Sequence, residues 1–203
     1  MPETIKTQRE QLAQALLENP EALEEVVSRL KGSSRRARQN AASTLSVVAS
    51  LVPAALLPYC DAVVAALERP EAQTRWECLD ILSALTSLDA AACGAGLAGA
   101  EGALFDEDSG PLRLAALRFL CRFGATSSDR SVEVWPLIDE AIQCYHGDPE
   151  FQDMLIAIVG FAESGVDAGV ADALKGRMEF DARNGKGMLK KRASHIIAKL
   201  DGE

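Results

Sequence analysis

Apolar and small side chains recur along this chain in a helical phase. Counting three, four, seven and ten positions beyond a basic or polar residue lands on one face of an α-helix. Arg38 is followed in this way by Ala41, Ala42, Leu45 and Val48; Arg75 by Cys78, Leu79, Leu82 and Leu85; Arg113 by Ala116, Leu117, Leu120 and Phe123. Gln152 is followed by Leu155, Ile156, Val159 and Ala162, and Lys190 by Ala193, Ser194, Ile197 and Leu200. By subtraction, successive anchors lie 37, 38, 39 and 38 residues apart. Unrelated amphipathic helices do not keep step in that way, so the pattern predicts a tandem repeat. A degenerate earlier copy opens at Arg9, with Leu12, Ala13 and Leu16 behind it, and suits a terminal cap that buries only one side.

A second set of helices sits between the anchored ones. Leu57-Pro58-Tyr59-Cys60-Asp61-Ala62-Val63-Val64 aligns with Trp135-Pro136-Leu137-Ile138-Asp139-Glu140-Ala141-Ile142, the two prolines being 78 residues apart. Proline is expected there in a first helical turn, where the amide has no intrahelical partner to lose. Glu68-Arg69-Pro70-Glu71, the acidic run 106–111 and His146-Gly147-Asp148-Pro149-Glu150 each fall just before an anchored helix. Caps, acidic residues and proline favour such places. Asn184-Gly185-Lys186-Gly187 is the softest joint and the expected hinge. The organisation predicted is one repeat domain over 1–203, with a cap helix in 1–19 and tandem helix pairs over 20–203.

Composition narrows the class. Hydrophobic residues make up 48% of the chain but aromatic ones only 5%, with alanine and leucine dominant, which favours packed helices over a β-sandwich and sets the fold class as all-α. The formal net charge of −9 is uneven: residues 61–109 hold ten acidic and two basic side chains, or −8. Arg35, Arg36 and Arg38 cluster toward one end, and Lys186, Lys190, Lys191, Arg192 and Lys199 toward the other. Solvated helix faces account for this, and a bipolar surface that steers a partner is the sharper alternative. Five dispersed cysteines, odd in number and without a Cys-x-x-Cys pair or a secretory leader before them, imply reduced thiols in a cytoplasmic protein. The most apolar stretch, 47–66, is interrupted by Pro53, Pro58, Tyr59 and Asp61, so no membrane span is expected.

With these features in place, the stretch from Leu56-Leu57-Pro58 through Leu67-Glu68-Arg69-Pro70-Glu71 to Thr74-Arg75 and Cys78-Leu79 resembles the HEAT repeat of the armadillo-like helical repeat families. It shows a first helix opening near a proline, an acidic turn, and a second helix led by arginine. Leu104-Phe105-Asp106-Glu107-Asp108 with Leu112-Arg113-Leu114-Ala115-Ala116-Leu117 fits equally well, and the resemblance covers about residues 20–200. It implies a right-handed α-α superhelix of about five helix pairs. It also implies that the arginine-led helices line the concave side, and that Arg38, Arg75 and Arg113 form a ladder with acidic groups near the turns, Asp106 or Asp108 serving Arg113 or Arg75. Two departures stand out. Gln152 replaces the arginine of the fourth unit, and 90–104 is unusually small in its side chains, rich in alanine and glycine. Helical glycine is unfavourable by roughly 1 kcal/mol relative to alanine, so that helix is expected to break or to accept a close neighbour.

Placed on such helices, residues one, two and five beyond each anchor point away from the core. Those columns contain Trp76, Asp80, Leu114, Arg118 and Met154, three of them apolar where a purely solvated face would be polar. An aromatic and two aliphatic anchors among charges have the makeup of a partner surface. The chain offers little chemistry otherwise. His146 and His195 read as surface histidines with no cysteine at metal-ligand spacing, so no metal or cofactor is expected. Gly94-Ala95-Gly96-Leu97-Ala98-Gly99 spells a phosphate-loop pattern but follows no strand. The acidic balance opposes nucleic acid. The sequence therefore points to a non-enzymatic scaffold that binds a protein or peptide on its concave face. A small enzyme or ligand-binding module of HEAT-like fold, similar to a bilin lyase or a DNA glycosylase, is the alternative, with 90–104 beside its pocket.

Overall fold

The computed structural model describes residues 5–202, with side chains from Thr7 onward; residues 1–4 of the expected cap lie outside the described residues. Every regular element among the described residues is helical. The chain forms two compact units, Met1–Ala103 and Leu104–Glu203.

The first unit begins with α1 (Ile5–Leu17) and α2 (Pro20–Ser28), followed by α3 (Arg35–Leu51), α4 (Cys60–Ala65) and α5 (Ala72–Leu85). It closes with α6 (Ala90–Cys93) and α7 (Leu97–Leu104), whose last residue starts the second unit. Short 3₁₀ segments at Arg29–Lys31, Pro53–Tyr59, Ala66–Glu68 and Gly94–Gly96 link them. Side-chain caps set the starts: Asn19 Oδ1 accepts from the Ala22 amide at 3.2 Å, Ser34 Oγ from Ala37 at 3.3 Å and Asp89 Oδ1 from Ala92 at 3.0 Å. The predicted faces are the buried ones. Ala41, Ala42, Leu45 and Val48 of α3 and Cys78, Leu79, Leu82 and Leu85 of α5 are all at most 3% exposed, and α3 packs on α5. Leu56, Val63 and Leu67 close the core from the other layer.

The small-residue segment 90–104 breaks, as its composition predicts, into α6, a 3₁₀ turn and α7. Its smallness has a packing reason at one position. A Cβ on Gly99 would stand 2.7 Å from Leu67 Cδ1, so only glycine lets α7 lie this close to the layer that carries Leu67.

In the second unit the elements are α8 (Gly110–Gly124), α9 (Ser128–Cys144), α10 (Phe151–Ala162), α11 (Ala168–Asn184) and α12 (Gly187–Leu200). Ser109, Ser127 and Asp167 cap α8, α9 and α11. Helix α8 packs on α9 and α10, and α12 on α10 and α11. Pro136 does not open a helix: α9 begins eight residues earlier, at Ser128, and runs through it. The proline is on the solvent side and exposed, as is Val132, whose carbonyl loses its amide partner, so water compensates the missing bond. Pro58 lies inside a 3₁₀ segment, one residue short of the α4 boundary at Tyr59. The expected hinge at 184–187 is a tight connection, with Gly187 at φ +57°.

Gly124 marks the closest packing in this unit. A Cβ there would meet Val134 Cγ2 at 2.5 Å and Phe161 Cε2 at 2.7 Å, both buried. Gly124→Ala is therefore expected to lower the unfolding free energy by about 1–3 kcal/mol, the range for overpacking a filled core. A urea titration of the full chain measures it, and an unchanged midpoint would contradict the packing described.

Candidate functional site

Charge enters the repeats through the anchors. In the first unit the Arg38 guanidinium, 8% exposed, donates from Nε to Glu71 Oε2 at 3.1 Å and from Nη2 to Glu71 Oε1. Its Nη1 reaches back to the carbonyls of Gly32 at 2.7 Å and Ser33 at 3.0 Å. One side chain thus ties the turn before its own helix to the carboxylate that opens the next anchored helix. The Arg38 hydrogen bond holds the Glu71 carboxyl below its usual range, against the upward push of burial.

Arg113 repeats this in the second unit. Its Nε and Nη2 donate to Glu150 Oε1, the former at 3.0 Å, and its Nη1 to the carbonyls of Asp106 at 2.9 Å and Glu107 at 3.4 Å. Asp148 adds a contact at 3.6 Å, and the guanidinium lies 5.1 Å from the centre of the Tyr145 ring. The carboxylate for Arg113 is therefore Glu150, not Asp106 or Asp108. Asp106 offers its carbonyl, its Oδ1 accepts the Asp108 amide at 3.1 Å, and the Asp108 side chain is exposed. The reason is geometric. A long side chain leaning off the start of α8 meets backbone on its near side and the following repeat on its far side, and only the latter supplies a carboxylate. Arg75 is half-buried at the start of α5.

Further along, the phase shifts by one. Ile156 is 53% exposed, while Phe151, Met154, Leu155, Ile158 and Phe161 are at most 1% exposed. The anchor position of this helix is thus Phe151, and that of the last is Leu189, ahead of buried Ala193 and Ile196. By subtraction the spacing from Arg113 becomes 38 and 38. This corrects two expectations. Gln152 is not a substituted arginine, and Met154, taken as outward-facing, is a core residue offering no surface. The signal was present in the stripe Phe151, Met154, Leu155, Ile158, Phe161; requiring a polar anchor hid it.

Of the other expected surface residues, Trp76 and Asp80 on α5 and Leu114 on α8 are half-buried, and Arg118 on α8 is exposed. Ser43, in the same column as Asp80, turns inward at 2% exposure, donating to Glu77 Oε1 at 2.7 Å and accepting from Gln73 Nε2 at 3.1 Å. Ala115 is likewise buried. In the second unit the outward positions of α8 and α10 are Leu114, Arg118, Gln152, Asp153 and Ile156. Arg192 of α12 donates to the Gln152 carbonyl at 2.6 Å and its Oε1 at 2.8 Å, so Gln152 binds the next helix.

Two features escaped the sequence reading. A cavity of about 530 Å³ opens among α1, α2 and α3, with Leu12, Leu16 and Val26 among its apolar lining and Arg9, Glu25 and Asn40 among its polar lining. His146, expected as a plain surface histidine, has a half-exposed ring whose Nε2 lies 2.9 and 3.0 Å from the carboxylate oxygens of Asp181, itself 4% exposed. The ring also packs against Phe151 at a tilt of 45°, centroids 5.0 Å apart. No group of three His, Cys, Asp or Glu side chains among the described residues is placed to hold a metal ion.

No protein-family model and no curated protein sequence matches the chain. Its backbone is similar to that of the designed armadillo repeat protein YIII(Dq.V1)4CPAF, solved in complex with the peptide (KR)4, at a TM-score of 0.74 and 15% identity over 94% of this chain and 86% of that one. Two engineered proteins match at TM-scores of 0.72 and 0.68, with 13% and 15% identity, covering 95% and 100% of this chain and 84% and 96% of theirs. At such identities the likeness is one of fold. The chain has the all-α armadillo/HEAT-like helical repeat fold of a solenoid protein. No helix among the described residues is long and apolar enough to cross a membrane.

Two stability predictions come from the ladder. Arg113→Ala should lower the unfolding free energy by about 2–3 kcal/mol, the scale of charge-assisted hydrogen bonds, whereas Asp108→Ala should stay within about 0.5 kcal/mol. Equal effects in chemical denaturation would reinstate Asp108 as the ladder carboxylate. For Glu71 the folded pKa lies below the unfolded one, so its contribution is complete above the unfolded value of about 4.3 and is lost as pH falls through the folded value. Thermal melts between neutral pH and about pH 3 should show a shallower acid decline for Glu71→Gln than for the parent chain. Parallel curves would remove Glu71 from the acid response.

Proposed function

We propose that the protein is a non-enzymatic binding scaffold that takes protein or peptide segments on the outward faces of the anchored helices within each of its two units. The observation that carries this reading is the apolar content of positions built to face solvent. Ile156 is 53% exposed beside exposed Asp153, and half-buried Trp76 and Leu114 occupy equivalent positions on α5 and α8, with Asp80 and Arg118 nearby in sequence register. Isolated exposed apolar residues need no explanation, but aromatic and aliphatic groups at equivalent repeat positions, ringed by charge, are the composition of a recognition face. Met154 leaves the proposed set, and Ile156 takes its place. The structurally similar designed armadillo protein holds a peptide, which makes a peptide the first ligand class to try. A cytoplasmic location belongs to the same reading and rests on the dispersed free cysteines.

The test is selection from a random peptide library on the immobilised full chain, followed by titration of the selected peptides against Trp76→Ala, Leu114→Ala and Ile156→Asp. A selected peptide is expected to bind about tenfold or more weakly to the variants of the unit that holds it, Trp76→Ala in the first or Leu114→Ala and Ile156→Asp in the second, the effect of losing a central anchor. Failure to select any peptide, or full-strength binding by all three variants, would withdraw the reading.

A further inference from the structure

We propose that the exposed face of α8, α10 and α12 in the second unit takes an acidic peptide, whose carboxylates pair with Arg118, Arg122 and Lys191 around the apolar anchor Ile156. This rests on the scaffold reading and gives that face its ligand chemistry. Charge in the second unit is divided by helix. Helices α8, α10 and α12, with α10 packed against both others, carry seven Lys or Arg and a single acid, Asp153, a balance of +6. Helices α9 and α11, which pack on each other, carry seven acids and four Lys or Arg, or −3, and the whole chain stands at −9. Four of the seven cations are occupied within the unit. Arg113 meets Glu150, Arg192 meets Gln152, Lys190 donates to the Arg183 carbonyl, and Lys199 lies 3.8 Å from Glu163. Arg118, Arg122 and Lys191 are exposed, and among the described residues no hydrogen bond or ion pair holds them.

Repeat register sets these groups on one face. Counted from the anchors Arg113, Phe151 and Leu189, Arg118 and Ile156 share the fifth position, Arg122 and Gly160 the ninth, and Asp153 and Lys191 the second. Arg118 and Arg122 are one helical turn apart, a spacing at which like charges repel. The free protein bears that repulsion without a counter-ion, and an anionic ligand removes it. Gly160 is a second sign that something lies on this face. Glycine is unfavourable inside a helix, and here a Cβ would meet nothing within 4 Å, so no neighbour in the chain calls for it. Bare backbone one turn beyond Ile156 lets the main chain of a ligand approach closely. Ile156, 53% exposed, supplies the apolar contact, with half-buried Leu114 on the adjacent helix. A peptide fits this mixture better than a polyphosphate chain does. Arg118 and Arg122 can each fork onto a carboxylate. A uniformly charged polymer would bring phosphates against Asp153 and leave Ile156 uncovered, whereas a peptide can set an apolar side chain between two acidic ones.

The test is fluorescence anisotropy on the full chain with a labelled peptide of repeating Asp-Glu-Leu, its Lys-Arg-Leu and Ser-Gln-Leu counterparts, and a labelled oligothymidine. At low salt the acidic peptide should bind about tenfold or more tightly than either counterpart, and added salt should weaken it. Replacing Arg118→Ala together with Arg122→Ala should cost that peptide about tenfold in affinity. The pair Arg130→Ala with Arg183→Ala, which removes the same charge from α9 and α11, should change it by about twofold or less. All four side chains but Arg130 are exposed, and circular dichroism checks that both double variants fold. Equal loss in the two double variants would overturn the assignment to this face. A neutral or basic peptide that binds as tightly and weakens in Leu114→Ala would overturn the acidic ligand while leaving the scaffold reading in place. Tighter binding of the oligothymidine would overturn it in favour of a phosphate surface. Binding of no probe would overturn it as well, and the library selection, which presumes no charge, then judges the scaffold reading separately.

Discussion

An amphipathic helix of 12 to 17 residues cannot hide its apolar stripe by itself, and in this protein each stripe is covered by the helices next to it in the chain. The seam between α3 and α5 is made almost entirely of alanine, leucine, valine and cysteine, none more than 3% exposed. Small residues on one side of a seam let the leucines of the other come close, which sets the interaxial distance and leaves little room for variation. Where the approach is tightest the sequence has glycine: Gly99 under Leu67 in the first unit, Gly124 under Val134 and Phe161 in the second. These contacts fix how helices stack, and everything polar is arranged around them.

The buried arginines serve the joints of that stack. A turn ends with unpaired carbonyls, and the helix that follows begins with unpaired amides. Arg38 and Arg113 each satisfy carbonyls of the turn behind them and a carboxylate of the turn ahead. Such a pair is costly to bury, but its fixed fork geometry specifies the spacing of consecutive repeats. When the anchor becomes apolar, at Phe151 and Leu189, polar links between neighbouring repeats persist in other places. His146 meets Asp181, and Arg192 meets Gln152. The joint keeps a hydrogen-bonded crosslink although the residue that supplied it earlier in the chain has gone into the core.

The alanine- and glycine-rich segment shows the same economy of space. A regular helix there would carry side chains where Leu67 and the α4 layer must lie. The segment instead breaks at Gly94–Gly96, where Cys93 Sγ lies 3.8 Å from the Leu82 carbonyl. The phosphate-loop spelling in this stretch is a by-product of residues chosen for smallness.

The periodic pattern alone determined the helical class, the repeat length, the joints before α5, α8 and α10, and the buried faces of α3, α5 and α8, because a stripe at helical spacing can be hidden only by another helix. It also marked 90–104 as a place where a helix breaks or accepts a close neighbour. Tertiary structure decided the rest. The phase of α10 and α12, and with it the inward turn of Met154 and the exposure of Ile156, follows from which side of each helix meets its neighbours; two apolar residues in a row satisfy either register in sequence. The ladder partner of Arg113 and the Asp181 partner of His146 join residues 37 and 35 positions apart. Such pairings depend on how one repeat is set against the next, a relation that no local spacing encodes.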